Sequence, residues 1–355
     1  MTQNNQEVRK QNINNFDLIR LFAATKVAIF HMLKCLHTGE DWLAFLSYIP
    51  GVPIFFFISG YLIYKSYNNI ENKSKNLSIF YTNRFLRLYP GLYVCFLISF
   101  VSIYLSGYFD NVGIPSKQFI VWVVTSLTFF QFYNPDFLRG YGMGAINGSL
   151  WSIAVELQFY LLAPLVFTIL NKSKKMGGVL FVGFIIINVI KNIFFTGGNI
   201  FNKLISVSFA PWIYMFIFGA YISKNKAIQE KILSIHPVIF LVTYILTNYI
   251  AVTFNLGTSN TVNPISFLIL GCLVFKIAYT KPRLSKHILG NNDISYGVYI
   301  YHMPIVNFLL FKKFNGTPSG FFIAILLTYI FAYISWTLIE RPALNLKKIA
   351  LRHFN

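Results

Sequence analysis

Arg20 and His31 stand eleven residues apart in the first apolar run of the chain, FDLIRLFAATKVAIFHMLKCL. An ionisable side chain inside a membrane span is costly and usually faces a protein interior or a watery cavity, where it serves function. Eleven helical steps of ~100° return to within roughly 20° of the starting direction, so the two share a face, roughly 16 Å apart along the axis. A guanidinium low on that face supplies a fixed cation. A neutral imidazole higher up is a candidate general base. Both side chains also have structural readings. Arg20 could snorkel to the interface or pair with Asp17, and His31 could be satisfied by a neighbouring helix. Lys26 projects to another face, so not every charge in this segment need be catalytic.

Three further constellations carry chemistry. In NRFLRLYPGLY, Arg84 and Arg87 project to one side of a helix, and their forked donors suit phosphate. A basic pair beside a span is equally the signature of a cytoplasmic loop. In NGSLWSIAVELQFYLLAPL, Ser149, Ser152, Glu156 and Tyr160 form a polar stripe beside Trp151. Glu156 falls in the outer half of its span, where a carboxylate must be protonated, paired or open to water. In DISYGVYIYHMPIV, Ser295, Tyr299 and His302 share a face, with His302 near mid-membrane and Pro304 loosening the helix after it. At IERP, Glu340 and Arg341 are expected to form a helix-end ion pair.

The elements that must position these residues follow from composition. Of 355 residues, 55% are hydrophobic and only 12% charged, against about 25% charged in soluble domains. The expected fold is therefore an all-α polytopic membrane protein. Its net charge of +19 is spread over short basic loops, which is the positive-inside pattern and excludes nucleic acid as a partner. Cys35, Cys95 and Cys272 match no metal site or disulfide framework and read as packing residues. The polar N-terminus lacks the pattern of a cleaved signal.

Eleven apolar stretches can be marked, at 16–36, 42–64, 88–107, 118–133, 150–170, 177–196, 204–222, 237–255, 264–279, 294–311 and 319–339. Most reach the length of a span, but 118–133 is short. If that stretch re-enters or lies in the interface, ten transmembrane helices remain and both termini are cytoplasmic. Twenty of the thirty Lys and Arg residues then lie inside and five outside, at 117, 139, 203, 312 and 313. A full crossing at 118–133 would invert the later loops and spoil this asymmetry. The expected organisation is a cytoplasmic segment 1–15, a membrane domain 16–342 and a short cytoplasmic tail 343–355, with no appended soluble domain. A transporter or flippase of lipid-linked sugars is the alternative reading of the buried charges, although no inverted repeat is evident.

From Phe16 to Pro342 these motifs, in this order and together with GVPIFFFISGYLI at Ser59-Gly60, resemble the acyltransferase-3 family of integral-membrane acyltransferases. The resemblance implies a bacterial inner-membrane O-acetyltransferase that moves an acyl group, usually acetyl, from cytoplasmic acyl-CoA to a hydroxyl of a cell-envelope glycan. That acceptor could be an O-antigen, a capsule or an exopolysaccharide. Acetyl-CoA would be a co-substrate, with no permanently bound cofactor and no metal. Carried over, His31 is the catalytic base and Arg20, Arg84 and Arg87 are donor-side cations. Lys26 departs from the mostly apolar residues usual in this helix. Glu156 could orient the imidazole, and Tyr160, Ser149 and Tyr299 are candidate donors to the oxyanion. Trp151, Ser295 and His302 complete the expected substrate contacts.

Overall fold

The structure, a computed structural model, describes residues 13–39, 45–68, 76–257 and 259–346. The expected cytoplasmic segment before residue 13 and the tail after 346 lie outside these. Among the described residues every regular element is helical. In chain order they are α1 (Phe16–Leu36), α2 (Gly51–Asn68), α3 (Asn76–Leu105), α4 (Ser116–Leu127), α5 (Trp151–Lys172), α6 (Lys174–Phe194) and α7 (Ile200–Val207). There follow α8 (Ile213–Lys224), α9 (Lys226–Ser234), α10 (Pro237–Thr253), α11 (Pro264–Tyr279), α12 (Leu284–Leu289), α13 (Ser295–Phe311) and α14 (Pro318–Ser335).

Local chemistry sets several ends. Proline opens α10, α11 and α14, where its missing N–H is harmless. Asn225 and Thr317 cap α9 and α14 through side-chain oxygens. After α14 the chain continues into one π-helical turn, Trp336–Glu340.

Five helical segments are long and apolar enough to cross a bilayer: Phe45–Asn68, Leu77–Leu105, Gly148–Lys172, Lys174–Phe194 and Pro318–Leu346. A sixth is counted if α9 and α10, bent by 91°, form one span. The outward faces of α6 and α10 expose Val179, Ile186, Ile245 and Leu246. Apolar side chains on that scale suit lipid contact. The chain is a multi-pass membrane protein.

Two stretches depart from simple spans. The 118–133 stretch yields only the twelve residues of α4, about 18 Å of helix and too short to cross. With the loop after it, α4 builds a small separate core of Trp122, Phe137, Leu138 and Tyr141 against Ile103 and Tyr108. Asn307 of α13 holds that loop by donating to the Ala145 and Ile146 carbonyls, both at 2.8 Å, and accepting from Met143 N–H at 2.8 Å.

The expected span 204–222 is instead broken into α7 and α8. Pro211 cannot continue the helical ladder, and the freed backbone groups find side-chain partners. Asn188 donates to the Pro211 carbonyl at 2.9 Å, and Trp212 Nε1 donates to Ser206 at 2.9 Å. Gln158 donates to Val207 at 3.0 Å and accepts from Phe209 N–H at 2.9 Å. Irregular backbone in a membrane protein persists only where such partners exist.

The packing centre is formed by α2 against α8 and α13 against α1. Helix α13 is buried along nearly its whole length. Between α2 and α8 the backbones touch: a Cβ on Gly60 would overlap the Phe216 carbonyl, and one on Gly219 would overlap the Phe57 carbonyl. Only glycine fits at these positions. Gly60→Val should therefore destabilise the fold by about 1–3 kcal/mol through overpacking. Gly178→Val, where a Cβ meets nothing within 4 Å, should not. Thermal unfolding in detergent, followed by size-exclusion chromatography, checks the pair, and equal midpoints would refute the close-approach argument.

Candidate active site

The first-span pair is built as its spacing requires. Helix α1 runs unbroken from Phe16 to Leu36, so Arg20 and His31 lie on one face. Apart from Asp17 on α1 itself, their partners come from the α13 region. Arg20 Nη1 lies 3.5 Å from Asp17 and 3.5 Å from Asp293, while His31 Nδ1 lies 2.8 Å from His302 Nε2. The imidazole rings are stacked, with centroids 5.1 Å apart and an 18° interplanar angle.

The direction of the histidine bond follows from the next contact. His302 Nδ1 lies 3.3 Å from the Val298 carbonyl, which can only accept, so Nδ1 carries the proton. In a neutral His302 the Nε2 atom is then the acceptor, and His31 Nδ1–H donates to it. The lone pair of His31 is left on Nε2. His302 is fully buried, whereas His31 is only partly so. His31 is thus the reachable member of the pair.

Below the histidines lies a cavity of about 370 Å³. Arg20, Arg84, Arg87, Glu156, Tyr160, Ser295 and Tyr299 all line it, together with Asp17, Ser59, Ser152, Asp293 and Trp336. Residues singled out by motif on separate helical regions therefore meet around one space. Ser149 lies behind the wall, donating to Asn147 at 2.6 Å. Trp151 faces a different, larger cavity. Neither His31 nor His302 lines this cavity; the pair adjoins its wall through Tyr299, whose ring lies 6.1 Å from that of His302.

The two arginines of the basic pair are not equivalent. Arg87 donates to Asp293 Oδ2 at 2.5 Å, and Ser295 donates to the other oxygen of Asp293 at 2.5 Å. Burial alone would push the Asp293 carboxyl up, but Arg87 and Arg20 beside it hold it below the ordinary carboxylate range. Among the described residues Arg84 has no such partner. Its guanidinium lies over the rings of Phe80 and Tyr160 at 5.9 and 5.8 Å, and its buried Nε makes no hydrogen bond among the described residues. Of the pair, Arg84 is the cation left for a ligand.

Glu156 makes no ion pair among the described residues. Its Oε1 accepts from Ser59 at 2.6 Å and from Tyr160 at 2.5 Å, and it borders the same cavity as Arg20 and Arg87. Two hydroxyl donors on one oxygen and an open cavity are what a carboxylate in a span needs. Tyr299 Oη lies 2.6 Å from Ser152 Oγ and donates to the Ser149 carbonyl at 3.0 Å.

One expectation needs correction. Glu340 and Arg341 form no ion pair: Glu340 is 1% exposed and accepts from Ser335 at 2.9 Å, while Arg341 faces outward. The π turn swings Glu340 inward, away from its neighbour. Lys26, which the spacing sets on another face, is buried, with its ammonium 4.9 Å over the Phe30 ring. Sequence reasoning also missed Asp293. It stands two residues before the SYGVYIYH run, and a buried carboxylate is the natural counter-ion for two in-span arginines.

With the geometry in place, the comparisons fix the class. Residues 13–337 match the family model described as an acyltransferase domain, and the chain belongs to this acyltransferase-3 family. Over 350 residues it is 29% identical to nodulation protein 10 of Rhizobium leguminosarum bv. viciae, covering 94% of both chains. Over 346 residues it is 26% identical to the O-acetyl transferase of Shigella phage Sf6, covering 94% of this chain and 96% of that one. The peptidoglycan O-acetyltransferase OatA of Listeria monocytogenes is 26% identical over 363 residues, with this chain spanning 56% of its length. No solved structure matches.

The division between Arg87 and Arg84 predicts separable phenotypes. Asp293→Asn should cost about 3–5 kcal/mol of stability, because it leaves buried guanidinium charge uncompensated. Arg87→Gln with Asp293→Asn should cost less than the sum of the single changes. Arg84→Gln should cost only about 0.5–2 kcal/mol, the scale of its ring contacts, since no ion pair is lost. Denaturant or thermal unfolding in detergent reads all three, and a midpoint loss for Arg84→Gln as large as for Asp293→Asn would refute the assignment.

Proposed function

We propose that this protein is an inner-membrane O-acetyltransferase that moves an acetyl group from cytoplasmic acetyl-CoA to a hydroxyl of a cell-envelope glycan. The observation that carries this reading is the single cavity in which Arg20, Arg84 and Glu156 converge, joined through Tyr299 to the His31–His302 pair. The names of the relatives, which include a phage O-acetyl transferase and a peptidoglycan O-acetyltransferase, support the same chemistry.

Ten crossings with both termini cytoplasmic are the matching topology. The crossing elements are α1, α2, α3, α5, α6, the broken α7–α8, α10, α11, α13 and α14, with α4 at the outer face. Under this arrangement the 370 Å³ cavity gathers the cytoplasmic ends of α1, α3, α13 and α14. Phosphates of the donor meet Arg84, with Arg20 deeper along the same wall. The pantetheine arm passes Glu156, whose Oε2 is available to an amide N–H.

The chemical step uses the free lone pair of His31. Nε2 takes the proton of the acceptor hydroxyl as its oxygen attacks the thioester carbonyl carbon. The tetrahedral intermediate collapses, the C–S bond breaks, and the departing thiolate takes the proton back from the imidazolium. His302 is a positioning residue: it fixes the His31 tautomer and is too buried to meet substrate. A transient acyl-histidine, formed by Nε2 attacking the thioester first, would use the same atoms.

Membranes supplied with labelled acetyl-CoA test the reading, with envelope glycan as the labelled product. His31→Ala should lower transfer by roughly a hundredfold or more. His302→Gln should lower kcat by about tenfold or more with little change in the KM for acetyl-CoA, as expected when a residue orients the base. Arg84→Gln should raise that KM by about tenfold. Glycan labelling unchanged in His31→Ala would overturn the assignment of the base. Sugar translocation without acetyl-CoA dependence would favour a flippase instead.

A further inference from the structure

The second cavity, of about 960 Å³, lies further along the bundle and belongs to no step described above. Along α3 the first cavity touches Arg84, Arg87 and Leu88, and the second touches Leu92, Cys95, Phe96 and Ser99. Along the antiparallel α5 the order reverses, with Trp151 in the second cavity and Ser152 to Tyr160 in the first. The two spaces are therefore offset toward opposite membrane faces, separated by little more than the start of α5.

The chemistry of the second cavity is distinctive. Its lining includes many amides and hydroxyls, two tryptophans and three cations, Arg139, Lys191 and Lys203, and no carboxylate. Arg139 is paired with Asp136 at 2.7 Å. Neither lysine has a carboxylate within 4.0 Å among the described residues. Lys191 stands in an apolar helix and is held near the Trp212 ring at 5.9 Å and Asn192 at 3.4 Å. Only five cations are expected on this face at all, and two of them, Arg139 and Lys203, converge here with an in-span lysine. The positive-inside tendency does not produce that convergence.

A second observation points to a ligand. Gln131 is 6% exposed and lines the cavity, its amide nitrogen donates to the Thr128 carbonyl, and its Oε1 has no partner. A buried acceptor left unmade is costly, and a hydroxyl-rich ligand would satisfy it.

We propose that this cavity is the acceptor site and that the acceptor is an anionic glycan. Its sugar ring lies against Trp151, a hydroxyl reaches Gln131, and its phosphate or carboxylate meets Lys191 and Lys203. The inference rests on the acetyltransferase reading for the word acceptor. The anionic class rests on the cavity alone. The charge has two chemical sources, a lipid-linked sugar diphosphate or an acidic sugar.

The full chain in phosphatidylcholine nanodiscs is titrated with octyl glucoside, octyl glucuronide and farnesyl-diphospho-N-acetylglucosamine. At least one anionic probe should bind about tenfold tighter than octyl glucoside, the scale of one charge-assisted contact. Lys191→Gln with Lys203→Gln should bring the probes to parity, whereas the paired arginine substitutions should keep the preference. Preference for the diphosphate alone assigns a lipid-linked acceptor, and preference for the glucuronide alone assigns an acidic sugar. Equal binding of all three probes, absence of binding, or a preference that survives the glutamine substitutions overturns the proposal. Acetyl-CoA titrated into the same nanodiscs reads the other cavity. Arg84-dependent acetyl-CoA binding without an anionic preference would sink only this inference, and the reverse would sink only the donor reading.

Discussion

The contact of Arg20 and Arg87 with Asp293 sets the geometry on which the site depends. Asp293 sits two residues before α13, Arg87 lies in α3 and Arg20 lies in α1, so one carboxylate ties three elements together. The His31–His302 bond then pins α1 to α13 at a second height, eleven residues above Arg20 and nine beyond Asp293. Two contacts at different heights fix both the axial register and the rotation of the helices. A third tie lies at the base, where the Asn15 side chain donates to Thr280 at 2.8 Å and Lys281 at 3.1 Å and accepts from Ser285 N–H at 2.9 Å. Because the imidazole pair is held by helix packing on one side and by an ion pair on the other, neither ring needs a flexible loop to orient it.

Buried ion pairs contribute little net stability compared with well-packed apolar residues, because both charges must leave water. Their persistence here is explained by the cavity they border. Arg87 spends its charge on Asp293 and secures the wall, which allows Arg84, one helical turn earlier, to remain without a carboxylate. Had Asp293 been placed to reach both arginines, neither guanidinium would be left without a carboxylate partner at the cavity wall. Glu156 follows the same logic with the opposite sign. Ser59 and Tyr160 hold one of its oxygens by hydroxyl donors, so the carboxylate is fixed without neutralising Arg84 or Arg20.

Much of this was legible in the chain because membrane spans punish idle polarity. Arg20, His31, Glu156 and His302 stood out against apolar neighbours, and their helical spacing gave the faces they share. What spacing within one segment cannot give is a partner on another. Asp293 lies in a short polar stretch, NNDIS, where a carboxylate attracts no notice, and its role depends on how α1, α3 and α13 meet. The equivalence of Arg84 and Arg87 in the sequence dissolved for the same reason. The break between α7 and α8 was hidden because Pro211 in an apolar run permits either a kink or a stop. The choice was made by Asn188 and Gln158 on other helices. Glu340 was misread because a π turn shifts the register of its side chain, and no residue type announces such a turn.

The two cavities raise the question of where their contents meet. The material between them is a hydrogen-bonded partition: Tyr299 joined to Ser152 and the Ser149 carbonyl, Ser149 donating to Asn147, and Asn147 donating to the Ile300 carbonyl at 2.8 Å. These are side-chain contacts around the first turn of α5 and the 3-10 turn, Gly148–Leu150, that leads into it. Tyr299 and Ser152 touch the lower cavity while Asn147 and Trp151 touch the upper one. The partition also packs against His302 through the Tyr299 ring. A thioester from one side and a hydroxyl from the other can meet only by passing or displacing this start of α5. The polar stripe of that helix thus belongs to the boundary between two compartments as much as to either binding site.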